Sequence, residues 1–249
     1  MLPRFLTLFV LLFVVSIGPG GAETPRLAEA KAAFAKADAD LNQAYQEAKG
    51  LLPEWLFEEL RAGQKEWLEY RDASALSAAV FNGGPENEGR ETTAPEYWES
   101  MTWSTETRTR MILGWKAKGK DGSGEVPWKG IWTDGYGGWL LIEEILDPRR
   151  FRFSIHVVRG PTSHLGGIRG IARRNREAGF FSDEGDADYH NAEDKTETWL
   201  FFDKEFGAPR IQVRGIHTQP YHGARAYFDG TYTRLGDATD EDRKMFEEP

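Results

Sequence analysis

The apolar residues of this chain change their spacing once, and that change limits the folds open to it more than any other feature. Between about residues 24 and 118 they recur three or four apart, which lines one face of an α-helix. Phe34, Ala37, Leu41, Ala44, Tyr45 and Ala48 keep this spacing in a first segment, and Leu56, Leu60, Trp67, Ala75 and Leu76 in a second. Trp98, Met101, Thr105, Arg108, Ile112 and Trp115 keep it in a third. Beyond Pro127 the period falls to two. Phe151, Phe153, Ile155 and Val157 alternate with Arg152, Ser154 and His156, the pattern of a half-buried strand. Trp199 and Phe201, Ile211 and Val213, and Ala224, Ala226 and Phe228 repeat it. Helical and strand periods segregated in this way predict an α+β protein in two parts.

Local punctuation sets the boundaries. Residues 1–22 read as a secretory signal: Arg4 is followed by an apolar run from Phe5 to Ile17, and small residues lead to cleavage near Ala22. Thr24-Pro25 opens the first helix, Gly50 closes it, Pro53 opens the second and Pro95 the third. Asn82-Gly83-Gly84-Pro85 and the polar stretch to Ala94 form a loop. Three helices of this length predict an antiparallel bundle over residues 23–118. Residues 119–128 are Gly-rich and polar, a linker. About eight short strands over 129–236 predict an antiparallel β barrel or sandwich. The phrases Gly130-Ile131-Trp132-Thr133 and Gly230-Thr231-Tyr232-Thr233 suit the corner where a barrel closes, and favour the barrel. Residues 237–249 read as an acidic C-terminal tail.

Composition removes whole classes of chemistry. The net charge of −9 gives no basic footprint, so no nucleic acid is expected as a partner. The chain has no cysteine, which excludes disulfides, thiol nucleophiles and cysteine zinc sites. The five histidines are His156, His164, His190, His217 and His222, and none stands at the spacing of a metal-ligand pair, so no metal is expected. The acidic run Asp183–Asp188 has its glycine in the wrong place for a calcium loop and reads as a solvated hairpin tip. No nucleophile elbow or phosphate-binding glycine loop is present. The sequence predicts a non-enzymatic binding protein without cofactors. After loss of the leader no segment spans a membrane, so the mature chain is expected in a bacterial periplasm or outside the cell.

The most specific run is Gln64-Lys65-Glu66-Trp67-Leu68-Glu69-Tyr70-Arg71-Asp72. Trp67 and Arg71 are one helical turn apart, so the guanidinium can lie on the indole. With Asp40, Leu41, Asn42 and Tyr45 on the first helix and Arg108 on the third, this run resembles the N-terminal domain of LprI-like lysozyme inhibitors. The resemblance covers about residues 26–118 and implies a secreted helical domain, with these motif residues read as architecture. Relatives usually carry a cysteine soon after the Tyr-Arg-Asp triplet, where this chain has Ala75. Gly130-x-Trp132 is also similar to the first strand of lipocalin-type barrels.

Inhibition is what the resemblance implies. An acidic chain would be steered to a basic lysozyme, and a protruding donor could meet the enzyme's two catalytic carboxylates. The candidate inhibitory loops carry Arg149, Arg150, His164, Tyr221 and His222. Two other readings stand beside it: a small apolar or envelope-derived ligand held inside the β domain, and an envelope module whose helices dock a partner.

Overall fold

The computed structural model describes residues 24–121, 126–160, 164–183 and 197–247. Helices α1 (Pro25–Leu51), α2 (Glu54–Phe81) and α3 (Pro95–Asp121) form the bundle. The Thr24 hydroxyl accepts from the Leu27 amide and Pro25 is the first helical residue, so α1 begins where its capping residues dictate. Pro53 ends the α1–α2 turn, and two single 3-10 turns, Pro85–Asn87 and Glu91–Thr93, carry the α2–α3 connection. The expected α3 seam is correct in phase: Met101, Thr105, Arg108 and Ile112 are buried. On α2 the buried line runs Leu60, Trp67, Arg71, Ala75, Ala79, while Leu76 lies outside it and is exposed.

Strands β1 (Gly130–Thr133), β2 (Gly138–Glu144), β3 (Arg150–Arg159) and β4 (His164–Asn175) follow. Then come β5 (Ala178–Ser182), β6 (Trp199–Lys204), β7 (Arg210–Ile216) and β8 (Gly230–Gly236). Each strand pairs antiparallel with the next, and β8 returns to β1 to close an eight-stranded barrel. The barrel alternative is therefore the correct one. Gly130 has φ +141°, and a Cβ there would meet the Gly236 carbonyl oxygen at 2.3 Å, so closure requires glycine at this corner. Trp132 and Tyr232, the aromatics of the two similar phrases, both point into the lumen.

Two strand expectations need correction. In β6 the inward residues are Leu200 and Phe202, while Trp199 is exposed and Phe201 half-buried. Ala224–Phe228 is not a strand: it is an unpaired segment before β8, although Ala226 and Phe228 are buried in the barrel core. In β4, a glycine makes room for a packed ring. A Cβ on Gly170 would lie 2.4 Å from the Phe181 ring.

The bundle leans on the wall made by β7, β8, β1 and β2. Arg210 of β7 pairs with Glu59 of α2 and lies 5.5 Å from the Trp115 ring of α3. Trp103 of α3 packs 5.4 Å from Trp139 of β2. The segment read as an acidic tail contains α4 (Asp240–Lys244), started by a reciprocal Thr239–Asp242 cap. Its Met245 and Phe246 cover the outer residues Ile131, Trp139 and Leu141. That second apolar cover explains why β1 and most of β2 are buried on both faces.

Candidate functional site

The motif residues of the helical domain converge on one side chain. Trp67, 1% exposed, lies between the guanidinium groups of Arg71 at 5.3 Å and Arg108 at 5.6 Å. Arg71 also faces Phe34 of α1 and pairs with Asp72 at 2.9 Å and Asp38 at 3.8 Å. Arg108 has a different environment. Its Nε donates to the Gln64 side-chain oxygen at 2.9 Å, and no carboxylate pairs with it among the described residues. Burial consequently pulls the Arg108 pKa below its ordinary value, with weaker opposing influences from Tyr136 and Tyr45.

The remaining motif residues divide between core and surface. Leu41 is buried, and Tyr45 packs on Phe57 at 5.2 Å. Asp40 pairs with Lys36 at 2.6 Å and Asn42 donates to Asp38 at 3.1 Å, both on the exposed face of α1. Tyr70 reaches across to the barrel, edge-on to Tyr136 at 5.2 Å. Ala75 is fully buried, so close packing occupies the place where the resemblance implies a cysteine.

Sequence reasoning missed the polar junction beside Tyr136. Asp134, in the β1–β2 turn, accepts from the Tyr136 and Gly138 amides, both at 2.8 Å. Its other oxygen meets Arg159 at 2.6 Å. Arg159 also donates to the Tyr136 and Tyr227 carbonyls and lies 4.6 Å from the Tyr227 ring. Burial opposes the Arg159 charge, but Asp134 together with Tyr232 and Tyr227 outweighs it and raises the pKa. The Tyr232 hydroxyl, donating to the Phe228 carbonyl, is pushed well up by burial. The only sequence signal is the position of Asp134 at the head of the glycine-rich run Asp134-Gly135-Tyr136-Gly137-Gly138, which marks a turn and not a buried pair. A second buried cation, Lys204, meets Glu177 at 2.5 Å near the far end of the barrel.

The candidate loops do not form one surface. In an up-and-down barrel alternate turns lie at opposite ends. Arg149 and Arg150 stand at the β2–β3 turn, exposed, with Arg149 near Asp147. His164 opens β4 at the other end, and Tyr221 and His222 sit beside β4 in the segment between β7 and β8. Tyr221 donates to Asp183 at 2.9 Å, and the His222 Nε2 is 2.9 Å from the Thr218 hydroxyl. Asp183 is therefore buried rather than solvated. The rest of the acidic run, His190 and the leader at 1–22 lie outside the described residues. Among the described residues no group of three or more His, Asp or Glu is placed to hold a metal.

The barrel lumen is lined by aromatics in mutual contact. Phe153 lies 5.0 Å from Phe181 and 5.1 Å from Phe202, and Phe151 lies 5.0 Å from Trp128. These rings satisfy one another, which gives the small-ligand reading of the β domain no support.

The sequence model of the family described as Lysozyme inhibitor LprI matches residues 21–112. The match spans α1, α2 and two thirds of α3, so the helical region is similar to that family. No curated protein and no solved structure matches the chain. No helix among the described residues is long and apolar enough to cross a membrane.

Proposed function

We propose, taking the likeness of the helical region to the LprI family as premise, that the mature chain is an exported bacterial envelope protein that binds and inhibits a lysozyme. The match over residues 21–112 is the observation that carries this reading. The net charge of −9 supports it, because an acidic surface accelerates encounter with a basic enzyme. The motif around Trp67 is spent on internal contacts, which leaves the barrel ends as the surface to meet the enzyme. Of these, the end with His164, Tyr221 and His222 is the better candidate, since three of the five loop residues gather there. The role assigned to the chain is binding, without catalysis.

The test is inhibition of c-, g- and i-type lysozymes by residues 23–249, at low and physiological salt. Inhibition of one class, weakened by salt, is expected. The paired variants Tyr221→Ala with His222→Ala, and Arg149→Ala with Arg150→Ala, then report which barrel end makes contact. Absence of binding to every class overturns the reading.

A further inference from the structure

Arg108 carries more hydrogen-bonding capacity than its surroundings use. Its residue surface is 7% exposed, and its one hydrogen bond among the described residues runs from Nε to Gln64. Among the described residues neither terminal nitrogen has a hydrogen-bond partner, and no carboxylate pairs with the group. Structural arginines buried this deeply are ordinarily paired with an acid. The other deeply buried guanidinium groups here obey that rule: Arg71 has Asp72 and Arg159 has Asp134.

The unused nitrogens lie where a ligand could approach. Arg108 lines a groove of about 640 Å³ between bundle and barrel, with Gly63, Glu66, Trp115, Tyr136 and Arg210 among its walls. Glycines flank the guanidinium from both domains. A Cβ on Gly63 of α2 would lie 3.7 Å from Nη2, and one on Gly135 of the β1–β2 turn 4.0 Å from Nη1. Gly63 thus puts no side chain beside Nη2, while next to Gly135 the Met111 thioether, 3.1 Å from that Cβ position, shares the space beside Nη1. A planar, two-donor fork of this kind matches a carboxylate.

The rest of the groove narrows the class. Glu59 and Glu205 share the single charge of Arg210, and Asp203 pairs with Arg214. Glu66 has no ion pair or hydrogen bond among the described residues, so the groove holds one cation without a carboxylate, Arg108, and an excess of acid in which an ammonium group finds partners. Trp115 and Tyr136 add aromatic surface to its walls. We propose that this interdomain groove binds a small zwitterion, a free amino acid or short peptide, with its carboxylate on the Arg108 fork and its ammonium group towards Glu66. This site is distinct from the barrel ends and does not depend on lysozyme inhibition.

Calorimetric titration of residues 23–249 with the dipeptide Ala-Ala, its C-terminal amide and its N-acetyl form tests the assignment without altering the protein. The free dipeptide is expected to bind saturably, the amide to lose about tenfold or more, and the acetylated form to bind more weakly than the parent. Arg108→Gln should abolish binding. Gly63→Ala, which fills the approach to Nη2 with ordinary contact distances and keeps α2 helical, should weaken it while circular dichroism stays unchanged. Absence of saturable binding up to about 10 mM dipeptide overturns the proposal. Equal binding of acid and amide overturns it too, as does unchanged binding by a folded Arg108→Gln variant.

Discussion

Arg159 and Asp134 meet at 2.6 Å at the junction of barrel and bundle, with only 5% and 7% of their side chains exposed. Asp134 also fixes the β1–β2 turn through two amides, and that turn carries Tyr136 against Tyr70. One carboxylate thus serves barrel closure and domain contact together. Asp134→Ala leaves the guanidinium buried without a counter-charge and should cost about 3–5 kcal/mol in denaturant unfolding. Arg214→Ala, which breaks the exposed Arg214–Asp203 pair, should cost less than about 1 kcal/mol. Similar losses for the two variants would refute the junction's role.

Trp67 should be the most sensitive position in the bundle. Replacing it with alanine removes the surface on which Arg71 and Arg108 both rest, and is expected to cost about 3–5 kcal/mol. Trp67→Phe keeps an aromatic face and should lose markedly less. Thermal or urea unfolding of the three proteins separates these outcomes, and equal destabilisation by both substitutions would count against the stacked arrangement.

His156 gives stability a pH dependence. It stands on β3 opposite Trp139, in a groove shared with Met245 and Phe246, and burial lowers its pKa. Its folded pKa lies below the unfolded value of about 6.5, so the unfolded chain binds more protons between the two. The contribution of neutral His156 is full above that window and is lost as pH falls through the lowered folded pKa. Urea midpoints should therefore fall more steeply between pH 7 and 5 for the parent than for His156→Gln. Parallel curves would exclude the effect.

The seating of α3 on β8 depends on a missing side chain. A Cβ at Gly114 would lie 2.8 Å from the Arg234 carbonyl oxygen. Gly114→Leu should force the helix off the strand, at about 1–3 kcal/mol, and enlarge the radius of gyration in X-ray scattering. An unchanged radius with unchanged stability would mean that the contact is slack.

Much of this architecture was legible because each element carries one dominant period. Thr24-Pro25 and the α3 seam state their own boundary and phase. Phase failed where both parities are apolar: Trp199-Leu200-Phe201-Phe202 reads equally well either way, and pairing with β5 and β7 decides that Leu200 and Phe202 turn inward. Leu76 was misjudged because only the narrow α2 line through Trp67 and Ala75 meets neighbouring helices. The buried polar groups were harder. Asp134 belongs to the β1–β2 turn and Arg159 to the end of β3, and neither local sequence specifies the other. For Arg108, the helical period gives its burial but not the lack of a carboxylate around it.

The pairing of β8 with β1 joins the two ends of the sheet, so neither of these strands is left as an edge. At that seam an intruding peptide finds no row of unused strand amides and carbonyls to zip onto, whereas β4 pairs with β5 only through Arg173, Arg174 and Asn175. Along the closed seam, what this domain grips it must grip with side chains and loop backbone. Specificity then rests with a few turn residues that can change without disturbing the wall beneath them.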